Sequence, residues 1–292
     1  MSLNWLINIF LLLFLSGGNQ ISLVSQNWDL VKLPAATTRE VVSADKAVVL
    51  SPDGRYLLFN KKADEVQPIA SITKLMTAVI FLETNPNWDD VYRITSSDLI
   101  SGGRLNLFSG DSVYLKDLFL TALVASDNGA AFALAKSTGL SEAEFITLMN
   151  KKAQDLRLLN TKFVDVTGLS SDNVSTAREV ALLAKFALSL PAISEAVNLG
   201  EYSFITLEGK EKNIVSTDHL LFDPSPGELK PLGGKTGYTD LAGYCFVGRF
   251  QGPDNEDLIV AVLNSEGRNN RFQESKILIN LVLGSYFKNI QN

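Results

Sequence analysis

The stretch from Gln67 to Ala78 has the sequence QPIASITKLMTA and combines a helical pattern with a serine and a lysine that can act together in catalysis. From Ser71 onward the apolar residues recur at helical spacing, which predicts a helix with one apolar face. Ser71 and Lys74 therefore lie one turn apart on the same face of that helix. A lysine in this position can act as the base that activates a serine. Ser71 and Lys74 are our first candidate catalytic residues.

The Ser-x-x-Lys pattern alone is a weak signal, because it also occurs at 43–46 and 285–288. Two further strings, which follow Ser71 and Lys74 in a fixed order along the chain, strengthen the interpretation. The SDN string Ser126–Asn128 lies between two predicted helices, and the KTG string Lys235–Gly237 opens a strand-rich region. A second SDN string, Ser171–Asn173, lies in a polar turn. We rank it lower, because Ser126 follows a strongly amphipathic helix that can hold it rigidly. We expect Ser126, Asn128 and Lys235 to join the first pair in one site.

The remaining pattern predicts strands towards both ends of the chain and helices in the middle. Apolar runs at 47–50 and 56–59 flank a Ser-Pro-Asp-Gly turn, which predicts a β-hairpin. Further helices are predicted at 115–123, 129–136, 141–158, 176–188 and 272–287, and strands at 202–207, 241–250 and 258–264. This order indicates an α+β fold, in which an antiparallel sheet flanked by helices carries an inserted all-helical lobe, with a cleft between the two.

The composition narrows the functional class. The 292 residues carry a net charge of −6, without the basic clusters that nucleic-acid binding needs. A hydrophobic content of 46% excludes a disordered chain. Cys245 and His219 are the only cysteine and histidine, too few for a structural zinc site. We therefore expect neither metal nor nucleic acid, and we expect His219 in a loop or at the surface.

The amino terminus predicts export. Residues 1–28 contain no charged side chain, and the apolar run from Trp5 to Leu15 has the length of a secretory signal core. We expect 1–28 to be a signal peptide or an N-terminal anchor, with a core helix as the alternative. An anchor would associate the protein with the membrane, in the periplasm or on the outer face of the cytoplasmic membrane.

The motifs and their flanks resemble the low-molecular-mass serine D-alanyl-D-alanine carboxypeptidases, which are penicillin-binding proteins. The resemblance covers about 46–287 and implies a β-lactamase/transpeptidase-like fold, with no cofactor. It implies the stem peptide of peptidoglycan as substrate and β-lactam antibiotics as covalent inhibitors. Only a few residues follow Phe287, so we expect one catalytic domain at 29–292 without the C-terminal β domain of many relatives. The matching stretches are QPIASITKLMTA at 67–78, LVASDNGAA at 123–131, TGL at 167–169 and GKTGYTDLAGY at 234–244.

The resemblance assigns Ser71 the role of nucleophile, which attacks a D-Ala-D-Ala peptide bond and forms an acyl-enzyme. Lys74 is the expected base. A free lysine has a pKa of about 10.4, so burial and the charge of Lys235 are expected to lower it towards neutrality. Ser126 is expected to relay the proton to the leaving amine. Asn128 is expected to hydrogen-bond Lys74 and the substrate amide.

Four further residues are expected to bind substrate by the same resemblance. Thr236 would hydrogen-bond the terminal carboxylate, and Gly237 and Tyr238 continue that segment. The backbone N–H groups of Ser71 and Tyr238 would form the oxyanion hole. Arg271 matches by position an arginine near the substrate carboxylate, for which a planar guanidinium is suited. A surface salt bridge is the alternative for Arg271.

Three other functions compete with the carboxypeptidase. A D,D-endopeptidase would cut peptidoglycan cross-links with the same residues. A β-lactamase of class A would need a Glu-x-x-Leu-Asn string, which is absent from the sequence. The intact Ser71, Lys74 and Lys235 argue against the third alternative, a non-catalytic penicillin-binding sensor.

Overall fold

The computed structural model describes residues 42–103, 105–223, 229–253, 255 and 257–290, so the predicted leader at 1–28 lies outside the described residues. The strands are β1 (Lys46–Leu50), β2 (Leu57–Lys61), β3 (Gln67–Pro68), β4 (Val91–Arg93), β5 (Ser112–Tyr114), β6 (Val174–Ser175), β7 (Glu201–Ile205), β8 (Glu211–Val215), β9 (Lys230–Thr239), β10 (Gly243–Gln251) and β11 (Asp257–Ser265). The α-helices are α1 (Thr73–Glu83), α2 (Leu115–Val124), α3 (Asn128–Lys136), α4 (Glu142–Asp155), α5 (Ala177–Ala187), α6 (Pro191–Val197) and α7 (Asn270–Ile290).

The main sheet joins the two ends of the described chain. Its five strands are antiparallel in the order β2-β1-β11-β10-β9. All five residues of β1 are buried, because α7 contacts one face of the sheet and α5 contacts the other. The continuous apolar run Ala47–Leu50 is what a strand covered on both faces requires.

The lobe inserted between β2 and β9 is built around α1. Every residue of α1 from Thr73 to Phe81 is buried, since α2, α3, α4 and α5 all contact this helix. The predicted α+β class and the inserted lobe are confirmed. The lobe was predicted to be all-helical, but its described residues also form three two-stranded sheets, β3–β6, β4–β5 and β7–β8.

The strands near the carboxyl end differ most from prediction. The strand expected at 202–207 is β7, which pairs with β8 outside the main sheet. The strand-rich region expected to open at Lys235–Gly237 begins a few residues earlier, because that string lies inside β9, which begins at Lys230. The sequence KPLGG before Lys235 has the Pro and Gly that normally argue against a strand. Pairing with β10 along one side nevertheless holds it extended at the sheet edge.

Among the helices of the described ranges, none alone is long and apolar enough to cross a membrane, although the sharply bent pair of α5 and α6 meets that test of length and composition jointly.

Candidate active site

The segment containing Ser71 approaches α1 through a short helical turn, Ala70–Ile72, so Ser71 lies just before the α-helix and not within it. Lys74 follows in the first turn of α1 and is 1% exposed. Its Nζ donates hydrogen bonds to Ser71 Oγ at 2.9 Å, Asn128 Oδ1 at 2.6 Å and the Thr167 carbonyl at 2.8 Å. The predicted pair therefore forms a direct contact, and Lys74 is held by three acceptors.

The first SDN string forms the corner between α2 and α3. Ser126 has a φ of 58°, in the left-handed region, and the carboxylate of Asp127 caps α3 by accepting from Ala130 N at 2.9 Å. Asp127, between the two predicted site residues, is thus the capping residue. Ser126 and Asn128 are left to line the cleft.

Lys235 approaches from the opposite side, on β9. It is 1% exposed, and its Nζ donates to Ser126 Oγ at 2.7 Å and to the Thr236 carbonyl at 2.9 Å. The Thr236 hydroxyl lies 2.6 Å from that of Thr217. Gly237 passes so close to the serine segment that a Cβ there would lie 2.9 Å from the Ile69 carbonyl oxygen. Glycine at this position lets β9 lie against the serine segment.

The two buried lysines have depressed pKa values. Burial lowers the pKa of Lys74 to about 7, while the charges of Asp127 and Asp165 act in the opposite direction. Burial also places the pKa of Lys235 well below its usual value, and the charge of Lys74 adds to that fall. The expected fall at Lys74 thus follows from burial, whereas the repulsion between the two lysines acts on Lys235.

Arg271 lies at the start of α7 and is buried, so the alternative of a surface salt bridge is wrong. Its Nη1 donates to the carbonyls of Gly237 at 3.1 Å and Cys245 at 3.3 Å. Its Nε is buried without a hydrogen-bond partner among the described residues. The exposed Arg268 lines the same cleft and lies 3.4 Å from Nε2 of His219, which is exposed as predicted.

These side chains line one cleft of about 580 Å³ between the lobe and the sheet. Within the described ranges, no cluster of three or more His, Cys, Asp or Glu side chains is arranged to hold a metal ion. Residues that line the cleft include Ser71, Ser126, Asn128, Thr217, Thr236, Gly237, Tyr238 and Arg271.

Residues 33–267 match the family model of D-alanyl-D-alanine carboxypeptidases, a span that includes the serine, SDN and KTG strings. The chain belongs to this family. Among its relatives, the D-alanyl-D-alanine endopeptidase of Haemophilus influenzae is 36% identical over 70% of this chain and 69% of its own length. The D-alanyl-D-alanine endopeptidase of Escherichia coli is 31% identical over 85% and 80%. A D-alanyl-D-alanine carboxypeptidase of Bacillus subtilis is 33% identical over 69% and 52%.

Solved structures of related enzymes have the same fold. The Streptomyces K15 DD-transpeptidase superposes with a TM-score of 0.76 at 26% identity, covering 83% of this chain and 98% of the transpeptidase. Penicillin-binding protein D2 of Listeria monocytogenes, in its cefotaxime-bound form, superposes with a TM-score of 0.71 at 32% identity over the same shares of the two chains. The chain is therefore a penicillin-binding hydrolase of the D-alanyl-D-alanine carboxypeptidase family.

Several cleft residues of this carboxypeptidase-family protein had no predicted role. The TGL string at 167–169 was a family match, yet its contribution is the Thr167 carbonyl, which a side-chain argument does not detect. A Cβ on Gly168 would lie 1.9 Å from the Ala70 carbonyl oxygen, so this loop packs directly on the serine segment. Thr217 follows strand β8 without any local motif, and only the pairing of the folded chain brings it to Thr236.

Proposed function

We propose that this protein removes the terminal D-Ala from peptidoglycan pentapeptides through an acyl-enzyme on Ser71. The observation that carries this proposal is the contact of 2.9 Å between Ser71 Oγ and the Nζ of Lys74, a lysine whose pKa burial lowers to about 7. A lysine with such a pKa is substantially neutral near pH 7 and accepts the hydroxyl proton as the serine attacks.

In acylation, the Ser71 Oγ–H proton passes to Lys74 while Oγ bonds to the carbonyl carbon of the penultimate D-Ala. Asn128 and the Thr167 carbonyl hold the ammonium that forms. The backbone N–H groups of Ser71 and Tyr238 are assigned to the oxyanion, where each donor is typically worth about 10² to 10³ in rate.

When the tetrahedral intermediate collapses, its C–N bond breaks and the leaving amine takes a proton. Ser126 is well placed to relay that proton, because its hydroxyl is held by Lys235 at 2.7 Å. Thr236 and Arg271 are assigned to the terminal carboxylate of the substrate. The position of Arg271 in the cleft, next to the Gly237 carbonyl, supports this assignment.

The test is covalent labelling with fluorescent penicillin, followed by mass spectrometry of the tryptic peptide that contains Ser71. We expect one adduct, located on Ser71, and no adduct in the Ser71→Ala variant. Labelling should rise with pH through about 7, as Lys74 loses its proton. A wild-type chain that stays unlabelled would remove Ser71 as nucleophile and with it the proposed reaction.

D,D-endopeptidase activity is the second candidate, and the comparisons favour keeping it. Three relatives named D-alanyl-D-alanine endopeptidase are 31 to 36% identical, and the match covers 68 to 80% of their lengths. Incubation with a D-Ala-D-Ala pentapeptide and, separately, with a cross-linked muropeptide dimer distinguishes the two. Release of free D-Ala alone supports the carboxypeptidase, whereas conversion of dimer to monomer supports the endopeptidase.

We further propose that 29–292 is one catalytic domain and that 1–28 directs export, as a cleaved signal peptide or as a retained membrane anchor. The relatives that this chain matches are bacterial enzymes named for their action on D-alanyl-D-alanine. Assembled peptidoglycan, the proposed substrate, lies outside the cytoplasmic membrane. Mass spectrometry of the protein recovered from the cell envelope would detect cleavage near residue 28, and recovery in the cytoplasmic fraction would contradict export.

A further inference from the structure

The loop between α4 and α5 contains Asp165, whose carboxylate accepts hydrogen bonds from the backbone of the same loop. Asp165 Oδ1 accepts from Thr167 N at 2.6 Å, Thr167 Oγ1 at 2.9 Å and Gly168 N at 2.6 Å. Asp165 Oδ2 accepts from Ser170 N at 2.7 Å and Asn173 Nδ2 at 2.7 Å. Five donors from one short loop therefore converge on a single side chain.

Asn173, the last residue of the second SDN string, connects this loop to the nucleophile segment. Its side chain is fully buried, and Oδ1 accepts from Val164 N at 2.7 Å and Asp165 N at 3.3 Å. Its own backbone carbonyl accepts from Ile69 N at 3.0 Å, two residues before Ser71. The loop is thus fixed at one end by Asp165 and at the other by the approach to the catalytic serine.

The result of this arrangement is the direction of the Thr167 carbonyl. With both Thr167 N–H and Gly168 N–H directed to Asp165, the intervening carbonyl is directed to Lys74 Nζ at 2.8 Å. Burial acts to raise the pKa of Asp165, but the N–H donors of Ser170, Gly168 and Thr167 outweigh it and hold the pKa below its usual value. Asp165 is therefore an anion near Lys74.

We propose that Asp165 is a positioning residue for the catalytic lysine, which it controls by fixing the Thr167 carbonyl as an acceptor and by placing a negative charge nearby. This inference rests on the proposed function, because it takes Lys74 as the base. Lys74 also faces Asp127 at the start of α3 and Lys235 on β9. Both are unchanged in the variants below.

The experiment measures the second-order rate of Ser71 acylation by fluorescent penicillin from pH 5 to 9 in Asp165→Asn. Asp172→Asn is the matched control, because it removes the same charge from an exposed position in the same loop. We expect Asp165→Asn to lower the maximal rate by about tenfold to a hundredfold, through misplacement of the base. We also expect the acid limb of its profile to move down by about one pH unit, since a lost anion and a lost acceptor both favour neutral Lys74. The control should follow the wild type in both respects.

Each result decides the proposal. An acid limb that stays in place, whatever the maximal rate, would overturn it, because a merely structural role lowers the rate without moving the limb. Should Asp165→Asn fail to fold, Asn173→Ala provides the answer, since it keeps the charge of Asp165 and removes one of its donors. It should lower the rate and move the acid limb down by less than Asp165→Asn does, because the looser loop weakens the Thr167 acceptor of Lys74 while the charge of Asp165 stays. An unmoved limb would overturn the proposal. Failure of the wild type to form any Ser71 adduct contradicts the proposed function instead.

Discussion

The chain contains the tripeptide Ser-Asp-Asn twice, and the two copies hold the same lysine by different routes. In Ser126–Asn128, the asparagine accepts directly from Lys74 Nζ at 2.6 Å. In Ser171–Asn173, the asparagine contacts Asp165, whose loop presents the Thr167 carbonyl to Lys74 at 2.8 Å. The first copy lines the cleft, and the second holds the loop that carries the Thr167 carbonyl.

The difference lies in what flanks each tripeptide. The first copy turns a corner between two helices, where Asp127 caps α3 and so leaves Ser126 and Asn128 to line the cleft. The second copy precedes the short strand β6, and its asparagine is fully buried under the loop. The same tripeptide therefore lines the cleft in one backbone setting and supports a loop in the other.

The two asparagines give the largest expected contrast in activity. Asn128→Ala removes an acceptor of Lys74 and a cleft donor, so we expect penicillin acylation to fall by about 10² to 10³. Asn173→Ala removes no direct acceptor of Lys74 and only loosens the loop that carries the Thr167 carbonyl, so acylation should fall, but by no more than about tenfold. Stopped-flow acylation rates at pH 8 measure both. Equal losses in the two variants would show that the copies do not differ in this way.

The same two variants should show the reverse order in stability. Asn173→Ala leaves Val164 N and Asp165 N without their acceptor in a fully buried place, which we expect to cost about 2 to 4 kcal/mol in free energy of unfolding. Lys74 keeps Ser71 Oγ and the Thr167 carbonyl as acceptors when Asn128 is lost, so Asn128→Ala should cost less, about 1 to 2 kcal/mol. Urea unfolding of each variant tests this, and a larger loss for Asn128→Ala would contradict it.

The sequence distinguished the copy that lines the cleft from the other, because the amphipathic pattern of 115–123 predicted the helix that precedes Ser126. The spacing of Ser71 and Lys74 likewise predicted their contact. The role of Thr167 was not predictable in that way, because it acts through a carbonyl whose direction depends on hydrogen bonds to Asp165. Strand β9 was missed because its Gly and Pro have low strand propensity, and the neighbouring β10 overrides that preference.

Substitution of the two serines should change the acylation rate by less different amounts than substitution of the two asparagines. Ser126 accepts from Lys235, so Ser126→Ala removes the proposed proton relay, and we expect acylation to fall by about tenfold to a hundredfold. Ser171→Ala changes a half-buried side chain in the supporting loop and should remain within about twofold of the wild type. Parallel acylation assays at pH 8 make the comparison. A strong loss in Ser171→Ala would place that serine in the machinery and contradict the distinction.

The smallest expected difference is in the free energy of unfolding, between variants of the two aspartates. Asp127 accepts from Ala130 N as the N-cap of α3 and from both Asn106 N at 2.7 Å and Asn106 Nδ2 at 2.9 Å. Asp127→Ala should therefore cost about 1 to 2 kcal/mol in free energy of unfolding. Asp172→Ala changes an exposed side chain, so its free energy of unfolding should stay within about 0.5 kcal/mol of the wild type.

Thermal and urea unfolding of both aspartate variants provide the measurement, and Asp127→Asn serves as the control because its amide oxygen can still cap the helix. Asp127→Asn should recover most of the stability that Asp127→Ala loses. The charge of Asp127 also raises the pKa of Lys74, so both Asp127 variants should move the acid limb of acylation to lower pH, whereas Asp172→Ala should not. Because capping and charge are thus tested separately, a limb that moves in Asp127→Ala but not in Asp127→Asn would assign the shift to helix fraying instead of to the lost charge.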